Sequence, residues 1–146
     1  MTDYRALLPL FTCLGLLGAC AAAPEQVAEP GLKRVWMVSE WPGFTRETLT
    51  AAQARLDLSA LPHGGAYMGC NRLMFQVADV HPLRASGSLN IGPVAATRMH
   101  CPGRMDLEQA FSQHFRRFQH YRLSGHRLTL EDAEGNTIRL IAEDWD

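Results

Sequence analysis

Residues 127–142 read RLTLEDAEGNTIRLIA, and this stretch predicts a β-hairpin. On both sides of segment 132–136, apolar residues alternate with polar ones. Because successive side chains of a strand point to opposite faces, the alternation gives each strand one buried face. The inward residues are then Leu128, Leu130, Ile138 and Leu140. Segment 132–136 contains the Asp, Gly and Asn residues that favour turns, so we expect two antiparallel strands joined there.

Shorter strands precede this hairpin. Apolar or alternating stretches occupy residues 35–38, 53–58, 66–68, 73–80 and 88–91. Gly and Pro residues separate them, and Pro62–Gly65 is predicted to be one of the turns. This succession of short, turn-separated strands favours an antiparallel sheet.

One helix is predicted, at about residues 106–118. Asp106 and Gln109 have the spacing of a capping box at its start. An apolar face follows at helical spacing, formed by Leu107, Phe111, Phe115 and Phe118. A stripe of this kind is far more often a core face than a cofactor pocket. The predicted class is α+β: a compact, mostly antiparallel sheet or partial barrel with one α-helix.

The N-terminal residues indicate export. A short polar start containing Arg5 is followed by the apolar run 7–17, which is too short to cross a bilayer. Leu17-Gly18-Ala19-Cys20 resembles the lipobox of bacterial lipoproteins, in which the cysteine thiol receives a diacylglycerol. We therefore expect a signal peptide at 1–19, lipidated Cys20 with a flexible tether at 20–32, and one domain at 33–146.

The anchor sets the expected location and partners. Ala21 follows the cysteine instead of the aspartate usually linked to inner-membrane retention, so we expect the outer membrane, with the domain facing the periplasm. The acyl chains on Cys20 would hold the protein to membrane lipid. An ordinary secreted protein is the alternative. We expect a monomer whose further partner is an unidentified envelope protein or small ligand.

Processing also limits the cysteine chemistry. Cys13 leaves with the signal peptide and Cys20 carries lipid, so Cys70 and Cys101 remain, in an oxidising compartment. The simplest interpretation is one disulfide, which would stabilise the domain by roughly 3–4 kcal/mol. A free redox pair and a thiol hydrolase, with His100 beside Cys101, remain as alternatives.

Two motifs and the following helix resemble the META domain, the HslJ-type family of heat-shock lipoproteins. The motifs are residues 69–72 (GCNR) and residues 91–101 (IGPVAATRMHC), followed by LEQAF at 107–111. The resemblance covers about residues 35–142. It implies a mostly antiparallel β domain with one helix, and links to heat or envelope stress and to novobiocin resistance. It implies no enzyme activity. Segment 73–84 departs from the family pattern.

Four polar residues flank the two cysteines: Asn71, Arg72, Thr97 and Arg98. If the disulfide forms, they lie near one another and could bind a carboxylate or phosphate. The alternative is that Asn71 satisfies a turn while the arginines meet solvent or carboxylates.

Other chemistry has little support in the sequence. The net charge is −1 and no basic block is present, so nucleic-acid binding is not expected. The six histidines lack metal-ligand spacing, and no catalytic or cofactor motif is recognisable. We therefore predict a non-enzymatic envelope lipoprotein, without metal or cofactor, that acts in envelope integrity or stress. The alternative is a small inhibitor of lysozyme or a protease, with residues 75–84 as its exposed loop.

Overall fold

A computed structural model describes residues 25–145 of the chain. Its helices are α1 (Arg46–Ala51) and α2 (Asp106–His114), and a 3₁₀ turn at Phe115–Arg117 follows α2. Its strands are β1 (Val35–Glu40), β2 (Arg55–Asp57), β3 (His63–Tyr67), β4 (Arg72–Ala78), β5 (Ser86–Ser88), β6 (Asn90–Ile91), β7 (Ala95–Ala96), β8 (Phe118–Ser124), β9 (Arg127–Asp132) and β10 (Thr137–Ala142).

The strands form one antiparallel sheet that curls into a nearly closed barrel. Their order is β5-β8-β9-β10-β1-β2-β3-β4-β6, and β7 adds to β4. The two ends of this order are consecutive in sequence: β5 pairs with β8, and β6 pairs with β4. Between them, the Leu89 amide donates to the Gln119 carbonyl at 2.9 Å. Segment 86–91 therefore joins both ends of the sheet and leaves little open edge. The predicted fold class is confirmed.

The predicted hairpin at residues 127–142 forms, with the four predicted inward residues facing the core. Leu128 pairs with Leu140 and Leu130 with Ile138, and all four side chains are buried. Asp132 closes the turn, because its carboxylate accepts hydrogen bonds from the Glu134 and Asn136 amides and from the Asn136 side chain. The side-chain amide of Asn136 is the main cause of the lowered pKa of Asp132. Alternating apolar residues and turn chemistry were sufficient to predict this element.

The aromatic face of the predicted helix lies in the core. Phe111 and Phe115 stack with ring centroids 4.1 Å apart, and Phe75 of β4 packs edge-on against Phe115 at 5.0 Å. Leu107 and Phe118 are buried as well. The interpretation of this stripe as a core face is confirmed.

The predicted start of this helix at Asp106 is correct, but its predicted end at 118 was wrong. The α-helix ends at His114, and Phe118 already has extended backbone angles and begins β8. Phe118 instead pairs with Asp132 in the sheet and is buried there, so strand pairing prevails over the helical spacing. The capping box is also absent, since Met105 is the N-cap and makes no side-chain cap bond.

A second helix, α1, was not predicted. It has only six residues and buries only Leu49, so its sequence carries almost no periodic signal. Thr45 caps its N-terminus, with its hydroxyl accepting from the Thr48 amide at 3.2 Å.

The described part of the predicted tether packs against the domain. The Val27 amide donates to the Leu83 carbonyl at 2.7 Å, and the Ala85 amide donates to the Glu25 carbonyl at 2.9 Å. Leu32 is 1% exposed and belongs to the core. Residues 25–32 therefore form part of the folded unit, whereas Cys20 and the predicted signal peptide lie outside the described residues.

The turn expected at Pro62–Gly65 ends earlier, and its glycines belong to strand β3. Gly64 lies opposite Phe75 of β4, and a Cβ at Gly64 would be 2.3 Å from Phe75 Cε2. The phenyl ring therefore occupies the space that a side chain would need. Gly65 is less restricted, since the nearest atom to its Cβ position would be 3.7 Å away.

We expect Gly64→Ala to lower the free energy of unfolding by about 1–3 kcal/mol, because the added methyl group must displace the buried Phe75 ring. Gly65→Ala is the matched control on the same strand and should change it by less than about 1 kcal/mol. Urea unfolding monitored by circular dichroism measures both. Equal stability of the two variants would contradict this account of the packing.

Candidate functional site

The structure joins Cys70 and Cys101 in a disulfide, with Cα atoms 5.9 Å apart. Cys70 lies just before β4 and is buried, whereas Cys101 lies in the loop before α2 and is half-buried. The bond therefore ties the loop to the start of β4. His100 lies in this loop, outside any strand, and is exposed.

Asn71 is the centre of a buried hydrogen-bond network beside the disulfide. Its Oδ1 accepts from the Thr97 hydroxyl at 2.8 Å and from the Met99 amide at 2.7 Å. Its Nδ2 donates to the Met99 carbonyl at 3.0 Å and to Glu108 Oε1 at 2.8 Å. The side chain, 2% exposed, thus uses both of its donors and both acceptor positions on protein groups.

Glu108 is the helical partner of Asn71. Its Oε2 accepts from the Asn71 backbone amide at 2.7 Å, so a single carboxylate receives two hydrogen bonds from one residue. Glu108 is buried, and carboxylates are seldom buried unless they are paired or well hydrogen-bonded. The role of Glu108 was not predicted, although the sequence carries a signal for it: Glu108, Phe111 and Phe115 share one helical face.

The four residues considered as a possible anion site have different roles. Asn71 and Thr97 do lie together, but their polar atoms bond mainly to each other and to the backbone. The Arg72 amide donates to the Thr97 hydroxyl at 3.1 Å, and the Arg72 and Arg98 side chains are exposed. The geometry therefore favours the structural interpretation of Asn71 over an anion pocket.

This centre links separate parts of the chain. The disulfide and the Asn71 network connect three elements: the start of β4, the loop at 97–101, and α2. The buried groups at this point satisfy one another, which fixes the local structure and leaves little polar capacity for a ligand.

Residues 25–145 form neither a candidate metal site nor a membrane-spanning helix. No group of three or more His, Cys, Asp or Glu side chains in this range is placed to hold a metal ion. None of the helices formed there has the length and apolar character needed to span a bilayer.

We expect Glu108→Gln to lower the free energy of unfolding by about 1.5–3 kcal/mol, because the amide nitrogen of Gln would face one of the Asn71 donors. The exposed carboxylate Glu143 provides the control, and Glu143→Gln should change stability by less than about 0.5 kcal/mol. Chemical denaturation of the two variants measures the difference. A Glu108→Gln variant as stable as wild type would show that the carboxylate does not hold Asn71.

The double variant Cys70→Ala/Cys101→Ala should lose about 3–4 kcal/mol of stability. The reason is that the bond, which links positions 31 residues apart, no longer restricts the unfolded chain. Urea unfolding with and without a reducing agent measures this effect. Reductant should destabilise the wild type and leave the double variant unchanged. A wild type insensitive to reductant would contradict the assigned role of the bond.

Comparisons with known proteins support the assignment of the fold. The family model of the META domain matches residues 30–145. An NMR structure of a protein from Burkholderia xenovorans is similar, with TM-score 0.58 and 22% identity, covering 86% of this chain and 94% of that one.

A second NMR structure has TM-score 0.55 and 20% identity, covering 77% of this chain and 92% of that one. These likenesses concern the fold. The curated proteins gave no match. Because the family match extends over most of the chain and includes the disulfide, Asn71 and Glu108, this protein belongs to the META domain family.

Proposed function

We propose that this protein is a lipid-anchored META domain of the bacterial envelope that acts through binding and supports envelope integrity under heat or antibiotic stress. The arrangement of the Asn71 centre is the observation that supports a non-enzymatic function. Asn71 and Glu108 are buried and hydrogen-bonded to each other, and the Thr97 hydroxyl donates to Asn71, so the Asn71 side chain has little polar capacity left for a substrate. The META domain is not a known enzyme family.

The anchor is proposed from the lipobox at residues 17–20. Glu25 already pairs with the loop at 81–85, so only four residues lie between the folded unit and Cys20. The five Cα–Cα steps from Cys20 to Glu25 span at most about 18 Å when extended. Acylation of Cys20 would thus keep the domain close to the membrane surface, with the 81–85 loop on the near side.

The inhibitor alternative gains no support from the geometry. Phe75 and Val77 of the proposed reactive region are buried in the barrel. The loop after them is bound on two sides, since Leu83 accepts from the Val27 amide and His81 accepts from the Tyr121 hydroxyl.

We expect a strain lacking this gene to grow normally at moderate temperature and to be more sensitive to heat and novobiocin. Wild-type protein should restore resistance, and Cys20→Ala should restore less of it because the unlipidated domain is not held at the membrane. Colony counts and minimum inhibitory concentrations measure these effects. Wild-type resistance in the deletion strain would contradict the stress role.

The anchor has a separate test. Mature protein from membranes should carry the mass of acyl chains at Cys20, and Cys20→Ala should fractionate with soluble envelope proteins. Full rescue by an unlipidated Cys20→Ala variant would contradict the need for the anchor while leaving the stress role supported.

A further inference from the structure

A groove lined by four arginines lies on the outer surface of the barrel. Its volume is about 400 Å³, and its basic residues are Arg46 of α1, Arg122 of β8, Arg127 of β9 and Arg139 of β10. Glu40 is the acidic residue in the lining. The four arginines come from four separate elements, so the chain sequence alone does not show that they lie together.

The strand register places Arg122, Arg127 and Arg139 around Thr129. Thr129 pairs with Arg122 on one side and with Arg139 on the other. Arg127 lies two residues before Thr129 and therefore points to the same outer face. Neighbouring strands lie about 4.8 Å apart, and residues i and i+2 about 7 Å apart. The three long side chains can therefore converge on a single bound group.

The charge of the groove is poorly balanced. Arg139 pairs with Glu40, but within residues 25–145 no carboxylate lies at ion-pair distance from Arg122 or Arg127. Arg46 is adjacent to Glu47, whose pKa is lowered mainly by backbone and Thr45 hydrogen bonds and least by the Arg46 charge. Like charges gathered on one sheet face repel each other, and an anion between them relieves that repulsion.

A second groove continues from the first. Its volume is about 530 Å³, and it shares Arg122 and Thr129 with the arginine groove. Its other polar side chains are Ser86, Ser88, His120 and Glu131. Hydroxyl, imidazole and carboxylate groups together supply the donors and acceptors that the hydroxyls of a sugar require.

The Tyr121 hydroxyl in this lining has a partner already. It donates to the His81 carbonyl at 2.8 Å, and burial is the main cause of its raised pKa. The Tyr121 hydroxyl is therefore not among the groups that contact a ligand. The remaining side chains of the second groove are exposed or half-buried and face the solvent.

We propose that the two joined grooves bind a phosphorylated saccharide. The phosphate lies between Arg122 and Arg127, where guanidinium groups give charge-assisted and bidentate hydrogen bonds to its oxygens. The sugar ring lies along the second groove, near His120 and Glu131. This proposal goes beyond the stress role, and it does not depend on acylation of Cys20.

The test is titration of the full-length chain, purified in detergent, followed by two-dimensional ¹H–¹⁵N NMR. The probe is mannose 6-phosphate, with mannose and inorganic phosphate as separate titrations. We expect Kd for mannose 6-phosphate to be at least about tenfold lower than for either control, because only the full probe fills both grooves. The largest shifts should occur at Arg122 and Arg127 Nε–Hε and at the His120 amide.

The double variant Arg122→Gln/Arg127→Gln should raise Kd at least about tenfold, since both guanidinium contacts are lost. Arg104→Gln/Arg116→Gln is the matched control, because it removes the same charge from exposed positions outside both grooves. It should change Kd less than about twofold. Dispersed spectra of both variants verify that they are folded.

Three results would overturn the proposal. One is the absence of saturable shifts with mannose 6-phosphate. Another is equal binding of inorganic phosphate, which would show an anion site without saccharide recognition. The third is an equal loss of affinity in the control variant, which would show attraction by net charge alone. None of these results bears on the growth phenotypes expected under heat and novobiocin.

Discussion

The contact between the Asn71 side chain and the buried Glu108 carboxylate is the constraint on which the middle of the molecule depends. It fixes α2 against the start of β4, and the Thr97 and Met99 contacts of Asn71 fix the intervening loop. The adjacent disulfide reduces the entropy of the unfolded chain, whereas the hydrogen bonds act in the folded state. The two effects therefore stabilise the same junction by different means.

This junction positions the aromatic core. Once Glu108 is fixed, Phe111 and Phe115 of the same helical face point toward Phe75 inside the barrel. The barrel in turn closes through segment 86–91, which pairs with β8 and β4 at its two ends. With the interior filled by side chains and few edges left open, the outer surface is the part available for partners. The arginine groove lies on that surface.

Sequence reasoning succeeded where the signal was local. The hairpin at 127–142 has an alternating pattern and a turn in consecutive residues, and both strands were predicted with their inward faces. Reasoning failed at Phe118, because its position fits the spacing of the helical stripe and also fits strand β8. Glu108 lay on a recognisable core face, but nothing in the sequence named Asn71, 37 residues earlier, as its partner.

The sequence by itself determined the α+β class, the terminal hairpin, the core character of the aromatic stripe and the resemblance to META domains. Each of these depends on the order and spacing of nearby residues. Only the tertiary structure decided where α2 ends, that Asn71 is structural, and that Arg122, Arg127 and Arg139 share one surface. The physical reason is that strand register and burial join residues far apart in the chain, and their energies appear only when the barrel has closed.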